Sequence, residues 1–337
     1  MLTRNRLALF ASSSIAAATF ALAASSAVAQ PQVRIDGSST VFPVTEAVAE
    51  EFQKANKGKV RVTVGVSGTG GGFRKFCSGE TDVQNASRPI TRAEMELCRK
   101  NGIDYVEMPI AYDALSVVVN PKNTWLKQIT VAELRTIWEP AATGKITRWN
   151  QVNPAWPDQP MALFGAGTDS GTFDYFTEAI NGKSKASRTD FTASEDDNVL
   201  VQGVSRNANS MGFFGFAYYW ENRKAVRSVP VVAAGSSQGV APSPESVIGG
   251  TYTPLSRPIF IYVSAAALKR PEVREFAEYY NVHGAKLVAE VKYVPLPAAA
   301  YKFNLASLSK PVLGTKFGGE NKVGMTIEQL MKLEAVR

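Results

Sequence analysis

From Val33 onward the chain repeats one succession: a β-branched or apolar run, a cluster of glycines and small hydroxyl residues, then an amphipathic stretch. That alternation restricts the fold class to α/β. Residues 33–35 read as a strand, and after Thr40 a helix is expected whose Val44, Ala47, Val48 and Phe52 recur at helical spacing. Val60, Val62, Val64 and Val66 alternate with Arg61, Thr63 and Gly65, the pattern of a strand with unlike faces. Thr91 followed by Glu94 predicts a capping box opening a helix that carries Cys98 and stops at Asn101 and Gly102. An apolar strand over 112–120 leads into a Trp- and Pro-rich segment, residues 121–160, and there we place a crossing into a second lobe. A second apolar strand, 259–263, follows the Gly/Ser/Pro-rich run 235–258 and carries the chain back. Two crossings make residues 30–112 with 258–337 one lobe and 113–257 the other, with a cleft between them as the natural ligand site. The stretch 213–220 reads as a buried strand and its neighbours.

The chain is 337 residues long and opens with Arg4 and Arg6, an apolar stretch broken by Ser12, Ser13, Ser14 and Thr19, and the small triplet Ala27, Val28, Ala29. This is the layout of a secretory signal peptide, expected to be cut after Ala29, leaving a soluble, periplasmic protein of 308 residues from Gln30. Removing the two leader arginines lowers the formal net charge from +7 to +5. No dense Lys/Arg block accompanies that surplus, so an anion or acidic surface is a better partner than nucleic acid. Cys77 and Cys98 lie 21 positions apart and, in an oxidising compartment, predict one disulfide. With these two cysteines and the single histidine, His283, no metal cluster or cofactor is expected.

Three of the hydroxyl- and glycine-rich loops look built for an oxyanion. The first is residues 36–40, Asp36, Gly37, Ser38, Ser39 and Thr40, between a strand and a helix, where free amides and the positive end of the helix dipole meet. The bland alternative is that Ser39 or Thr40 only caps the helix. The second, residues 67–73, holds four glycines between Ser67 and Phe73, with Arg74, Lys75 and Phe76 continuing as a helix. It lacks the Gly-Lys-Ser/Thr ending of a nucleotide P-loop. The third, residues 165–172, ends in Ser170, Gly171 and Thr172 at the start of a helix. Ser170 is flanked two places away by Thr168 and Thr172, so the Gly-x-Ser-x-Gly nucleophile elbow of hydrolases is absent. Between the second and third loops stands Arg88, a planar cation suited to two oxygens of a tetrahedral anion, although most arginines are solvated surface charges. Phe42, Phe73 and Phe173 are expected to pack beside the cleft.

Residues 36–43, 67–73, 86–90 and 167–176 together resemble the periplasmic phosphate-binding proteins of phosphate ABC transporters, and the resemblance spans essentially the whole chain after the leader. It implies a type II periplasmic binding protein fold: two α/β lobes joined by two crossing strands, with dehydrated phosphate between them. It further implies that Ser39, Thr40, the Val41 amide, Ser67, Arg88, Ser170, Gly171 and Thr172 contact inorganic phosphate, and that a loaded monomer docks on an inner-membrane permease. Two departures go together. Arg88 stands where the best-known branch has an aspartate, and Ala166 where it has an arginine, so the guanidinium has changed lobes. The aspartate of that branch accepts the proton of hydrogen phosphate and repels sulfate. Here the acceptor is open among Asp169, Asp36 and the acidic run Glu195, Asp196, Asp197, all of which also suit turn or cap chemistry.

Two other classes compete. A secreted phosphatase using Ser170 or Thr172 needs a base or metal, for which the composition offers no recognisable candidate. An envelope or adhesion protein on the same fold would use the basic surface and leave the cleft idle.

Overall fold

The computed structural model describes residues 30–168, 170–194, 196–320 and 326–337. The expected leader, Asp169 and Glu195 lie outside the described residues. Among the described residues twelve strands are formed: β1 (Gln32–Gly37), β2 (Arg61–Val64), β3 (Val83–Ala86), β4 (Tyr105–Val119), β5 (Ile129–Thr130), β6 (Ala162–Ala166), β7 (Thr192–Ser194), β8 (Ser210–Gly215), β9 (Arg227–Ser228), β10 (Val231–Val232), β11 (Ser256–Ser264) and β12 (Val294–Pro295). The main sheet runs β2-β1-β3-β11-β4-β8-β6-β7, with β9 and β12 also on β4, while β5 and β10 form a separate parallel pair. Parallel pairing at both ends (β2-β1-β3 and β8-β6-β7) follows from strand–helix–strand connections. In the middle, β11 lies antiparallel to both β3 and β4.

Two long strands hold this sheet together. Residues 105–114 of β4 pair with β11, and residues 115–119 of the same strand pair with β8. Both strands begin earlier than the apolar runs predict. Glu107 falls inside β4 because its buried carboxylate accepts from Tyr262 Oη at 2.7 Å, Thr315 Oγ1 at 2.5 Å and the Lys316 amide at 3.0 Å. Pro258 falls inside β11, where the register against β4 shifts between Ile259 and Phe260, an irregularity that tolerates a residue without an N–H.

Helix α1 (Phe42–Ala55) and the helix Pro271–Glu290 pack on one face of the β1 side, with Phe52 and Phe276 edge to face at 5.4 Å. Helix α2 (Gly68–Cys77) corrects the second-loop reading, because the glycine-rich stretch is already helical. Tertiary closeness overrides the poor helix propensity of glycine. A Cβ on Gly72 would lie 2.1 Å from Gln84 Oε1 and 2.5 Å from the Gly37 Cα, so only a bare backbone lets α2 press onto β1 and β3. Helix α3 (Arg92–Lys100) carries the predicted capping box of Thr91 and Glu94, and Cys98 on it is bonded to Cys77 at the end of α2. Helix α4 (Val131–Trp138) and helix α5 (Gly171–Asn181) cover the β6–β8 side, where Phe176 stacks on Phe213 at 3.7 Å beneath Trp138. Residues 213–220 divide into the end of β8 and a short helix, Phe216–Glu221, whose Trp220 is exposed.

Candidate functional site

The loop after β1 is wound tightly. Ser38 donates its amide to the Asn85 carbonyl at 3.0 Å and accepts from the amides of Val41 and Phe42 at 3.2 and 3.1 Å. Helix α1 has Val41 at its N-cap with no side-chain cap, so neither Ser39 nor Thr40 is consumed in capping. The Val41 amide is engaged within the turn, and its side chain is fully buried. At the start of α2, Thr69 Oγ1 accepts the Ser87 amide at 3.2 Å and lies 3.0 Å from Ser87 Oγ, joining the second loop to the end of β3. Ser67 donates its hydroxyl to Asp36.

Arg88 follows directly. Its Nη1 and Nη2 donate to the two oxygens of Glu94, each at 2.8 Å, and Nη1 also reaches the Pro89 carbonyl at 3.1 Å. Glu94 is at the same time the capping-box carboxylate, accepting from the Thr91 amide at 2.9 Å. Burial opposes ionisation of Glu94, but the hydrogen bonds from Arg88 and Thr91 outweigh it and hold the carboxyl below its ordinary range. At α5, Ser170 is the N-cap: its Oγ accepts the Phe173 amide at 3.0 Å and donates to the Gly167 carbonyl at 2.9 Å. The amides of Gly171 and Thr172, in the first turn, have no acceptor within their own helix. Gly171 sits against the first loop, with the Thr40 hydroxyl donating to its carbonyl at 3.4 Å.

These segments converge on one cavity of about 180 Å³. The first loop lends Ser38, Ser39 and Thr40; the start of α2 lends Gly68, Thr69 and Gly70; the end of β3 lends Ser87 and Arg88. The opposite wall is Asp174 and Glu178 of α5, Ser184, and Arg257 of β11. Of the sequence-derived set, Ser39, Thr40 and Arg88 therefore line the cavity, while Gly171 closes against Thr40 behind it. Thr172 lines a smaller neighbouring space of about 70 Å³ together with Asp113, Asp197 and Tyr293.

Of the candidate proton acceptors, Asp36, Asp196 and Asp197 are among the described residues, and Asp169 and Glu195 are not. Asp36 is buried, which opposes its charge, yet Lys75 at 2.6 Å and the Ser67 hydroxyl hold its carboxyl below the ordinary range. It is not among the lining residues. Asp196 caps its own helix by accepting the Asn198 amide at 2.9 Å. Among the described residues, the carboxylates facing the cavity are Asp174 and Glu178, which the sequence reading passed over. Burial pushes the Asp174 carboxyl up, only partly offset by Lys185 at 3.9 Å. Arg257 was also missed, hidden in a run that reads as loop. Among the described residues no group of three His, Cys, Asp or Glu could hold a metal, and His283 is exposed on the helix Pro271–Glu290 against Tyr279. What the arrangement can do is hold a small oxyanion between hydroxyls, a helix start and two guanidiniums.

Comparison with known proteins points the same way. Residues 22–281 match the PBP superfamily domain. The protein SphX of Synechococcus elongatus is 53% identical over 304 residues, covering 90% of this chain and 89% of that protein. The phosphate-binding protein PstS of Staphylococcus saprophyticus is 36% identical over 281 residues, covering 82% and 84%. A solved structure described as a possible phosphate binding protein from Planctomyces limnophilus superposes with a TM-score of 0.80 at 48% identity, over 83% of this chain and 98% of that one.

Proposed function

Since this chain belongs to the PBP superfamily and, within it, to the PstS and SphX group of phosphate-binding proteins, we propose that it captures inorganic phosphate in the periplasm and hands it to an ABC transporter permease. The observation that carries the reading is the convergence of the first loop, the glycine-rich start of α2 and the end of β3, remote in sequence from α5 and β11, with Arg88 and Arg257 on one cavity rich in hydroxyls. Such a site offers charge-assisted and amide donors to a tetrahedral anion. Binding is the whole activity proposed. The Ser170 hydroxyl is held in a helix cap and no histidine lines the cavity, which argues against a Ser–His hydrolytic step at Ser170.

In this reading the lobes are residues 30–112 with 258–337 and residues 113–257, crossing at β4 and β11. Phosphate meets Ser39, Thr40 and Arg88 from the first and the first-turn amides of α5 from the second. A leader ending at Ala29 exports the chain, and no helix among the described residues is long and apolar enough to cross a membrane. The protein works as a monomer that engages its permease when loaded.

Calorimetric titration of the protein from Gln30 onward tests this. Phosphate is expected to bind one to one with a dissociation constant of about 1 μM or tighter, near 8 kcal/mol. Absence of heat with phosphate, or equal affinity for sulfate, would refute the reading, and turnover of a chromogenic phosphate ester would favour the enzyme instead.

A further inference from the structure

We infer that Arg257, rather than Arg88 alone, is the guanidinium that meets the bound anion. This rests on the reading that the cavity takes phosphate. Arg88 gives both terminal nitrogens to Glu94 at 2.8 Å, a bidentate pair that neutralises the charge within the β3–α3 turn and uses its fork. An arriving anion would have to compete with a partner already in ideal geometry.

Arg257 is held differently. Its Cζ lies 3.6 Å above the Tyr175 ring, a stacking contact that fixes the plane of the guanidinium without using any N–H. Tyr175 is itself tied to the approach of β11 by donating its hydroxyl to the Pro254 carbonyl at 2.7 Å. On β4 the residue opposite Arg257 is Asp113, and the closest approach of the two is 3.6 Å between Nε and Oδ2. That is an ion pair too long to be a hydrogen bond. Both atoms are buried and neither has a hydrogen-bond partner. The remaining neighbour, Glu178, meets Nη1 at 3.3 Å and is half exposed, so water weakens that pair. Arg257 thus lines the cavity with donors its neighbours do not satisfy, braced by a ring on one side and a carboxylate behind it that lines the adjacent space. A cation pre-oriented in this way loses little freedom when an oxyanion arrives.

Two measurements decide the point. In calorimetry R257Q should lose at least about tenfold in phosphate affinity relative to the wild type, the scale of one hydrogen bond to a charged group. A loss smaller than that overturns the assignment. The crystal structure of the wild-type protein with phosphate gives a readout that a mere brace would not move: a guanidinium nitrogen of Arg257 is expected within hydrogen-bond distance of a phosphate oxygen. A longer separation overturns the inference even if R257Q binds poorly, and it decides the matter alone if R257Q does not fold. A wild-type protein that gives no heat with phosphate would instead sink the underlying reading of the cavity.

Discussion

Glu94 and Asp113 are buried carboxylates facing arginines, and they come out oppositely because of hydrogen-bond geometry. Glu94 accepts two bonds from Arg88 and another from the Thr91 amide, which offset its desolvation. Asp113, on a fully covered strand, has Arg257 nearby but out of bonding reach, so burial dominates and pushes its carboxyl up to about 6. The consequence for stability has a definite sign. An unfolded aspartate releases its proton near pH 4, whereas the folded one keeps it until about 6, so between those values the folded state binds more protons and stability falls as pH rises. Above pH 6 the penalty is complete, amounting to about 3 kcal/mol. In Asp113→Asn this contribution is gone. The difference in unfolding free energy between the variant and the wild type should therefore shift in the variant's favour by up to about 3 kcal/mol from pH 4 to pH 7. Urea unfolding of phosphate-free protein across that range measures it, and parallel curves for the two proteins would show that Asp113 ionises normally.

Helix α5 matters to the site through its first turn and through its lack of a side chain at Gly171. A Cβ there would stand 2.6 Å from the Thr40 Cα and 2.8 Å from its amide nitrogen, backbone atoms that cannot swing aside. The backbone of Gly171 is not in the left-handed region, so alanine fits the helix itself and the clash is purely between the first and third loops. Gly171→Ala should weaken phosphate binding about tenfold or more while the melting temperature of ligand-free protein stays within a few degrees of the wild type. Unchanged affinity would mean that the loops need not touch during capture. The place of the first and third loops was legible in the sequence, because a glycine- and hydroxyl-rich stretch after a β-branched or apolar run marks the passage from strand to helix. The Thr91–Glu94 box and the Cys77–Cys98 bond were legible for similar local reasons. Arg257 was not, since Ser256 and Pro258 on either side read as loop, and only its pairing with β4 makes that stretch a strand. Asp174 and Glu178 were equally silent, because one helix turn apart they look like any solvated face. Nor could composition reveal that Glu94 would occupy Arg88: a capping box announces a bond to its own helix start, not a second partner six residues back.

At the scale of the molecule, the first and third loops meet through weak contacts. The Thr40 hydroxyl reaches the Gly171 carbonyl at 3.4 Å, and elsewhere across the proposed lobes Lys292 pairs with Glu221 where both are substantially exposed. An exposed pair of that kind contributes less than about 1 kcal/mol. By contrast, β4 and β11 are long, almost wholly buried and paired over their shared length, so they persist whether or not the walls of the cavity touch. In the proposed two-lobe reading β4 and β11 are the pivot, and an anion held from both walls adds to whatever favours the shut form. A ligand shifts such an equilibrium only by binding one form better, and in the proposed reading phosphate, bridged from both walls, binds the shut form. Small-angle scattering of ligand-free protein should accordingly give a radius of gyration above the roughly 19 Å of a compact chain this long, contracting when phosphate is added. At a thousandfold excess over its dissociation constant, phosphate should also add about 4 kcal/mol to the unfolding free energy. Scattering curves that superimpose with and without phosphate, alongside that stabilisation, would mean that the anion enters a site already shut and that β4 and β11 act as a rigid frame.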